Sequence, residues 1–547
     1  MQRENINPEE HRFHGSDQID HEDVTNRSPD KLIGRLISAP YEKSPSFSKM
    51  HMRLLPATDS LAPGGWVMIA ATVASDETRF VLARVTDTHE VNPHEDAQGS
   101  LVSDIVPFDT HYAKEGDSTV IYRLAELEPM EEARFEPDGA LAYVREVFTL
   151  PRAGAPVYAA SPDLITAALG LEPDDLLGLE VGTLRGTSQP VIIKRDAIQR
   201  HMLIVGGIGS GKSYTRGVLA EELQALGVPQ VNIDVNGEMI EATHELGGIN
   251  LMPGKNGFTL PLSSLTAQDV MDAIPGLNPT TNIATLIAYA HEDLLKERTL
   301  KRGEHFGVRE LVDRIDEIAP ALKMEAGGTL RPAMQRARSL ESIPYIGVPF
   351  DWHDHLKPGS IINIDCRGLL VSDLRLIVAS IARDLQRLAK NRDNLFVAFS
   401  IDEFHLVAPN DDSSVTTQVL REIARIGRHY KIGLILTTQS PQDVDRSILK
   451  RLLTRFLHAI EPDQLEALRG VFSDASATLV KSLPKLPQGT CVVTGAFETI
   501  RHASLCDVRK RHTTHGGTTP DIWSDLHRLG WQGKRVQNLD TADHDAE

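Results

Sequence analysis

HMLIVGGIGSGKS, residues 201–213, joins a short apolar strand to a glycine-rich loop and the start of a helix. Within it Gly206, Gly211, Lys212 and Ser213 fit the pattern G-x-x-x-x-G-K-[ST], a loop that cradles phosphate groups. Glycines let the backbone bend around a polyphosphate and aim its N–H groups at it, while the following helix points its positive end at the same anion. The stretch therefore predicts a nucleotide site, and the alternative is a glycine-rich turn of purely structural use.

The residues of this loop have different expected roles toward ATP and Mg²⁺. Lys212 is expected to reach the β- and γ-phosphates, and the Ser213 hydroxyl to ligate Mg²⁺. The helical spacing of residues 214–226, which contain no proline, supports the helix that the loop requires. The predicted nucleotide-binding residues are Gly206, Gly207, Ile208, Gly209, Ser210, Gly211, Lys212, Ser213 and Tyr214.

A second apolar strand, residues 394–401, ends in the adjacent carboxylates Asp402 and Glu403. Asp402 is expected to hold Mg²⁺, directly or through water, and Glu403 to polarise the attacking water as general base. Two acids buried together without a metal or partner would be costly, which favours a catalytic interpretation over a structural one.

Polar residues also end two further predicted strands. Residues 433–438 precede Gln439, which would face the γ-phosphate if this strand lies between the P-loop strand and the acidic strand. Asp234 follows the strand 229–233 at the ligand edge of an α/β sheet. Asp234 and Glu238 are expected either near the metal and the attacking water or as caps of the next helix, and both interpretations remain open.

A helix predicted over residues 416–430 carries Arg421, Arg425 and Arg428. Arg425 and Arg428 are three residues apart and so share a helix face. One of them is expected to reach the γ-phosphate of a neighbouring subunit, which would require a ring. The alternative is a surface salt bridge with Glu422.

The composition places limits on the class of protein. The chain is 41% hydrophobic with a net charge of −19, a balance that does not favour wrapping nucleic acid on the outside but leaves room for a locally basic channel. Three cysteines without metal-ligand spacing indicate a reducing, cytoplasmic location, and we expect no membrane span.

The chain divides into five predicted segments around an α/β core of the RecA-like P-loop NTPase type, with the additional strand and the catalytic Glu. They are a disordered leader (1–30), a small N-terminal β-barrel domain with connector (31–186), the ATPase core (187–262 and 343–511), a helical insertion (263–342) and a C-terminal tail or latch (512–547). The basic residues of the insertion face either nucleic acid or, as a solvated surface, water: Lys296, Arg298, Lys301, Arg302, Lys323, Arg331, Arg336 and Arg338. Lys255 and the region 331–338 are candidate pore residues.

With these motifs in place, the chain resembles the HerA branch of the FtsK–HerA translocase superfamily from about residue 32 to residue 520. The motifs that carry the resemblance are 201–213, Asp234 with Gly237–Glu238, 401–405, 421–428 and 436–441. The resemblance implies Lys212 and Ser213 for nucleotide and Mg²⁺, Asp402 and Glu403 for hydrolysis, Gln439 as sensor, and Arg425 or Arg428 as the finger in trans. The sequence departs from the family at Asp234–Val235–Asn236–Gly237, where a Pro-His pair is expected after the Asp.

The resemblance implies a homohexameric ring that hydrolyses ATP and moves double-stranded DNA through its pore. It also implies a partner, either a nuclease in end resection or a different effector in anti-phage defence. Two other functions stay open: an ATPase ring that assembles and gates an effector without processive translocation, and a motor that moves protein or peptide, as in conjugation.

Overall fold

The computed structural model forms two compact units, Met1–Ala168 and Leu169–Glu547. It describes residues 32–38, 44–56, 58, 61–74, 77–91, 122–136, 140–254, 258–325, 328–389, 396–412, 414–468, 477–495, 500–516, 526 and 528. The predicted leader (1–30), Lys255 and most of the tail, with Trp523 and Trp531, lie outside these ranges.

The first unit is a closed β-barrel. Its strands are β1 (Leu32–Leu36), β2 (Met50–Leu54), β3 (Trp66–Ala74), β4 (Glu77–Val91), β5 (Tyr122–Phe135), β6 (Leu141–Arg145) and β7 (Pro156–Ala159). Six of them follow the order β2-β1-β7-β3-β4-β5, and β5 pairs back with β2, while β6 extends the sheet from β5. Residues that alternate along the strands, such as Val67 and Ile69, are fully buried inside it. The small barrel predicted from the sequence is confirmed.

The described residues of the second unit form one sheet of eleven strands. They are β8 (Gly178–Leu184), β9 (Pro190–Lys194), β10 (Met202–Val205), β11 (Gln230–Asp234), β12 (Ile249–Leu251), β13 (Ile361–Asp365), β14 (Val397–Ile401), β15 (Ile432–Thr438), β16 (Thr454–Leu457), β17 (Thr490–Thr494) and β18 (Ser504–Val508). Their order is β12-β13-β11-β14-β15-β10-β16-β17-β18-β8-β9, parallel from β12 to β16 and antiparallel beyond. The parallel part is a P-loop ATPase-like α/β sheet with β15 between β10 and β14, as predicted.

The helices of the chain are mostly short. They are α1 (Pro162–Leu169), α2 (Lys212–Ala225), α3 (Ile240–Glu245), α4 (Ala267–Ala273), α5 (Asn282–Leu294), α6 (Val308–Ile318), α7 (Leu330–Arg338), α8 (Trp352–His355), α9 (Val371–Ala389), α10 (Val415–Ile426), α11 (Arg446–Leu449), α12 (Leu465–Leu468) and α13 (Ala477–Ser482). Helices α4–α7 follow β12 and precede β13, so they form an insertion in the sheet topology. Within the described part of the chain, every helix falls short of the length or apolarity that a bilayer crossing needs.

One predicted boundary differs from the structure. The segment predicted as barrel domain with connector, 31–186, includes residues 178–184, whereas β8 pairs with β18 in the sheet of the second unit. The change of unit falls after Ala168 instead of after residue 186. Strand propensity cannot distinguish the two because β8 is an apolar strand that suits either sheet, and its partner lies more than 300 positions later in the chain.

The parallel strands present different chemistry on their two faces. On one face Val231, Ile233, Phe399 and Ile401 are fully buried and belong to the large apolar core. On the other face, turned toward α2, the alternate positions of the same strands are polar and equally buried: Asn232, Asp234, Asn363, Asp365, Ser400, Asp402 and Thr437. This polar face leads to the carboxyl ends of the strands, where the candidate site lies.

Candidate active site

The P-loop forms a tight cradle between β10 and α2. Gly207 donates its N–H to Ala459 O at 2.7 Å, and Lys212 Nζ donates to Gly207 O at 3.0 Å. Gly211 has φ 114°, a left-handed conformation that favours glycine, and caps the start of α2. At Gly206 a Cβ would overlap the His458 side chain and the Ser210 hydroxyl. The loop is therefore glycine-dependent at both ends.

The remaining loop residues differ in exposure. Ile208 is 91% exposed at the crest of the loop, whereas Ser210 and Lys212 are buried. Ser213 lies in the first turn of α2 and is half-buried. Tyr214, next along, accepts a hydrogen bond on its hydroxyl from the Arg511 N–H at 2.7 Å. The predicted nucleotide-binding residues thus follow one continuous surface from the loop crest to the first turn of the helix.

The two adjacent acids end β14, which is one strand removed from the P-loop strand. Asp402 is 2% exposed and accepts the Glu403 N–H on Oδ1 at 3.0 Å. Glu403 has φ 44°, a left-handed conformation uncommon for a residue with a side chain, and such strained positions cluster at functional sites.

The environment of Glu403 makes its carboxyl group unusually basic. Burial and the neighbouring Asp402 raise the pKa of Glu403 to about 7, and the nearby Lys212 opposes that rise. Its Oε2 atom lies 3.3 Å from His405 Nδ1 and makes no hydrogen bond with any residue that the structure describes. A carboxylate with a pKa near neutrality can take a proton from water.

The contacts of Asp234 favour a role as cap of the next helix over a role near the metal and the attacking water. Its Oδ1 accepts the N–H groups of Gly237 and Glu238 at 3.0 and 3.1 Å, and its Oδ2 accepts that of Met239 at 3.0 Å. The carboxylate is completely buried and fixes the loop that leads into α3. Glu238 remains half-buried, and its Oε2 has no hydrogen-bond partner among the described residues.

Gln439 follows directly after β15, between the ends of β10 and β14, and is half-buried. Lateral pairing of Val205 with Thr438 places the residue after each strand at the same edge of the sheet. The structure therefore places Gln439 at the same edge of the sheet as the P-loop and Glu403.

The arginine helix is shorter than predicted. Helix α10 ends at Ile426, so Arg425 lies in its last turn and Arg428 in the turn that follows. Gly427 follows the helix with right-handed helical dihedral angles, and a Cβ there would overlap the Ile423 carbonyl oxygen. The expectation that Arg425 and Arg428 share a helix face is corrected accordingly.

The three arginines have different surroundings. Arg421 is bound to Asp445, with Nη2–Oδ2 at 2.6 Å and Nε–Oδ2 at 3.0 Å. Arg425 and Arg428 are exposed, and neither forms an ion pair within the described ranges. Glu422, their suggested salt-bridge partner, instead accepts the Tyr430 hydroxyl at 2.8 Å. Arg425 and Arg428 are thus available to a group outside this chain.

Sequence reasoning missed the segment 509–516, which packs along α2. Arg509 pairs with Glu221 at 2.9 Å and with Glu222 at 2.6 Å, and Glu221 also accepts the Thr513 N–H at 2.9 Å. The Arg511 guanidinium lies against Gly217, where a Cβ would overlap it. Residues 512–516, assigned to the tail, therefore belong to this packing. The available signal was the adjacent acids at 221 and 222 together with the basic run at 509–511.

The geometry fits a magnesium nucleotide. The glycines leave a space that side chains would fill, Lys212 lies in the loop, and the Ser213 hydroxyl and the Asp402 carboxylate are oxygen donors of the kind that Mg²⁺ prefers. Glu403 Oε2 makes no hydrogen bond with a described residue and has His405 Nδ1 3.3 Å away. These features suit phosphate binding and water activation better than a structural turn.

Comparisons with known proteins point in the same direction. The family model described as "Helicase HerA, central domain" matches residues 179–385. The chain is 23% identical over 399 residues to the DNA double-strand break repair helicase HerA of Sulfolobus acidocaldarius, covering 69% of this chain and 77% of that protein. It is 24% identical over 396 residues to the protein of the same name from Sulfurisphaera tokodaii, covering 68% and 76%.

Two solved structures of low sequence identity align with part of this chain. The structure of VirB4 from Thermoanaerobacter pseudethanolicus covers 61% of this chain and 96% of its own, with 15% identity and a TM-score of 0.48. A bacterial conjugative coupling protein, TrwB, covers 65% of this chain and 93% of its own, with 16% identity and a TM-score of 0.46.

Proposed function

We propose that this chain, a HerA-like ATPase of the FtsK–HerA superfamily, is an ATP-driven motor that translocates double-stranded DNA as a homohexamer. The observation that carries the proposal is the convergence of the P-loop with Asp402 and Glu403 at one sheet edge, where Glu403 has a left-handed backbone, is half-buried and has its pKa raised to about 7. Curated relatives at 23% and 24% identity bear the name of DNA double-strand break repair helicases, which supports DNA as the polymer.

In the proposed mechanism the chain's residues divide binding from hydrolysis. The P-loop N–H groups and Lys212 would hold the β- and γ-phosphates, while Ser213 and Asp402 would hold the metal. When bound, Mg²⁺–ATP supplies the scissile phosphoanhydride and the charge that neutralises the leaving group. Glu403 Oε2 orients a water and accepts its proton, and Gln439 contacts the γ-phosphate side of the same edge.

The assembly part of the proposal rests on the two exposed arginines. A guanidinium supplied in trans stabilises the charge that develops on the transferred phosphoryl group and is worth roughly 10³- to 10⁵-fold in rate. Arg425 or Arg428 in this role requires a second copy of the chain. A partner nuclease or an anti-phage effector, and a cytoplasmic location, complete the proposal and follow from the resemblance.

The DNA contacts have candidates in the insertion. Lys296, Arg298 and Arg302 pair with nearby acids at 3.6–3.7 Å, and Arg336 donates to Pro275 O. Lys301, Lys323, Arg331 and Arg338 are exposed. The exposed residues without these contacts are available for phosphate groups. The charges of Lys296, Arg298 and Arg302 are partly neutralised by acids of the same chain.

The decisive experiment measures ATP turnover of the full chain with and without linear double-stranded DNA. We expect stimulation by DNA in the wild type and no turnover in Lys212→Ala, which lacks the phosphate-binding ammonium. Turnover that ignores DNA would contradict translocation and favour a ring that gates an effector. Absence of any turnover in the wild type would overturn the whole proposal.

The arginine in trans is tested by mixing variants. Arg425→Ala and Arg428→Ala are each combined with Glu403→Ala, so that some interfaces join an intact Glu403 to an intact arginine. Recovery of turnover in one mixture identifies the arginine and the assembly at once. Residual activity equal to that of the separate variants in both mixtures would contradict a finger in trans.

A further inference from the structure

Arg216 is a buried charge that the mechanism above does not use. It lies on α2, one turn after Lys212, and its side chain is 2% exposed on the polar face of the sheet. Its Nη1 is 3.2 Å from Asp402 Oδ2, and its Nη2 is 3.7 Å from Asp234 Oδ1. A fully buried arginine between two buried carboxylates is a costly arrangement, which makes a specific role for it worth testing.

The two acids are not equally constrained. Asp234 is fixed by three backbone N–H groups of the loop 237–239. Asp402 has its Oδ1 on the Glu403 N–H, and its Oδ2 meets Arg216 and, at 3.4 Å, Asn236 Nδ2. Asp234 is therefore the more firmly held of the two carboxylates. Arg216 bridges it to Asp402, the carboxylate expected to hold the metal.

The contact between Arg216 and the acids is electrostatic rather than locked by hydrogen bonds. Its Nε, Nη1 and Nη2 atoms make no hydrogen bond of good geometry with any described residue. The neighbouring strand β13 offers a contrast, since Arg367 grips Asp365 through Nε at 2.9 Å and Nη2 at 2.8 Å. Arg367 is half exposed, its side chain packs against Gly237, and its ion pair among the described residues is with Asp365 rather than Asp402.

We propose that Arg216 is a positioning residue for the metal site. It holds the Asp402 carboxylate beside the first turn of α2, where Ser213 lies, so that the two oxygen donors bind Mg²⁺ together. Asp234 anchors Arg216 in turn. This inference rests on the proposed function, because it assigns Arg216 a part in forming the same magnesium–nucleotide site.

The test is ATP binding by the full chain, measured by calorimetry in EDTA and across a Mg²⁺ titration. In Arg216→Met we expect the Mg²⁺ concentration that gives half-maximal enhancement of ATP binding to rise about 10- to 100-fold, the usual cost of losing an outer-shell partner. ATP affinity in EDTA should stay unchanged, since the P-loop is intact. Arg216→Lys keeps one positive charge and should recover part of the shift, and Arg367→Met is the matched control.

The outcomes separate the inference from the proposed function. A wild type whose ATP binding ignores Mg²⁺ would overturn both. A Mg²⁺-dependent wild type with the same Mg²⁺ requirement in the Arg216 variants would overturn the inference alone. Equal losses with and without Mg²⁺, or an equal shift in Arg367→Met, would show a merely structural role and also overturn it. Circular dichroism establishes folding, and Arg216→Lys decides the question if Arg216→Met does not fold.

Discussion

The two faces of the parallel sheet in the second unit are built from the same strands and yet differ in chemistry. On β14, Phe399 and Ile401 enter the apolar core, while Ser400 and Asp402 point to the opposite face. Parallel strands covered on both sides usually consist of continuous apolar residues. Here α9 and α10 cover the apolar face, and α2 covers a buried polar layer.

The difference shows how one sheet provides both stability and chemistry. Apolar burial favours folding by about 25 cal/mol per Å², whereas buried polar groups without partners oppose it. Several atoms of the polar layer lack hydrogen-bond partners within the described residues, among them Ser400 Oγ, Thr437 Oγ1 and Asn232 Nδ2. Such a layer is tolerated where a function requires it.

The largest effect should come from the acid at the tip of β14. Glu403→Gln keeps the shape of the side chain and removes its basicity, so we expect turnover to fall by roughly 10²- to 10⁴-fold. ATP binding should persist because Lys212 and the loop are unchanged. Steady-state turnover and equilibrium binding on the same preparation check this. Loss of ATP binding in a folded variant would contradict the assigned role.

The apolar face should respond in stability rather than in chemistry. Phe399→Ala removes a fully buried ring from the core, and we expect the free energy of unfolding to fall by about 3–5 kcal/mol. Denaturant unfolding measures the change, and turnover per folded molecule should remain close to that of the wild type. A large loss of turnover with little loss of stability would contradict the claim that the apolar face contributes to stability rather than to chemistry.

The pH should act in opposite directions on stability and turnover through Glu403, whose pKa burial and Asp402 raise to about 7 from the ordinary value of 4.5. Because the folded pKa is the higher one, protonation contributes stability that is fully present below pH 4.5 and lost as pH rises through about 7. Turnover needs the ionised base, so kcat/KM should rise over the same window. Unfolding of wild type and Glu403→Gln from pH 4 to 8 checks it, and parallel curves would contradict it.

The smallest effect should come from Ser400, beside Phe399 but on the polar face. Its hydroxyl is buried and makes no hydrogen bond with a described residue, so Ser400→Ala should raise the free energy of unfolding by about 1 kcal/mol. Measuring Phe399→Ala and Ser400→Ala in one unfolding series compares directly how the two faces of the sheet contribute to stability. A loss of stability in Ser400→Ala would show that the hydroxyl has a partner.

The local parts of the site could be predicted from the sequence because they are contiguous. Three motifs each join an apolar strand to the polar residues at its carboxyl end within a few positions. They are the P-loop pattern, the paired acids at 402 and 403, and the strand end at Gln439. The insertion helices α4 and α6 lie within the segment 263–342, which helical spacing predicts as a helical insertion.

The parts that need tertiary contacts were not accessible in this way. Asn-Ile-Asp occurs twice, at 232–234 and 363–365, but the register that sets Asp234 beside Asp365 depends on strand order. Arg216 is one basic residue on a helix until β11 and β14 place acids beneath it. The left-handed backbone at Glu403 and the end of α10 at Ile426 belong to the folded chain, and residue type alone does not specify them.

The packing of Arg511 on Gly217 has a consequence for the history of the sequence. A glycine in the interior of α2 costs about 1 kcal/mol relative to alanine, so it persists where something occupies the space of the missing methyl group. Here the occupant comes from almost 300 positions downstream and is held by Thr513. Substitutions at these two positions should therefore arise together, and descendants that lose the arginine are free to regain alanine at 217.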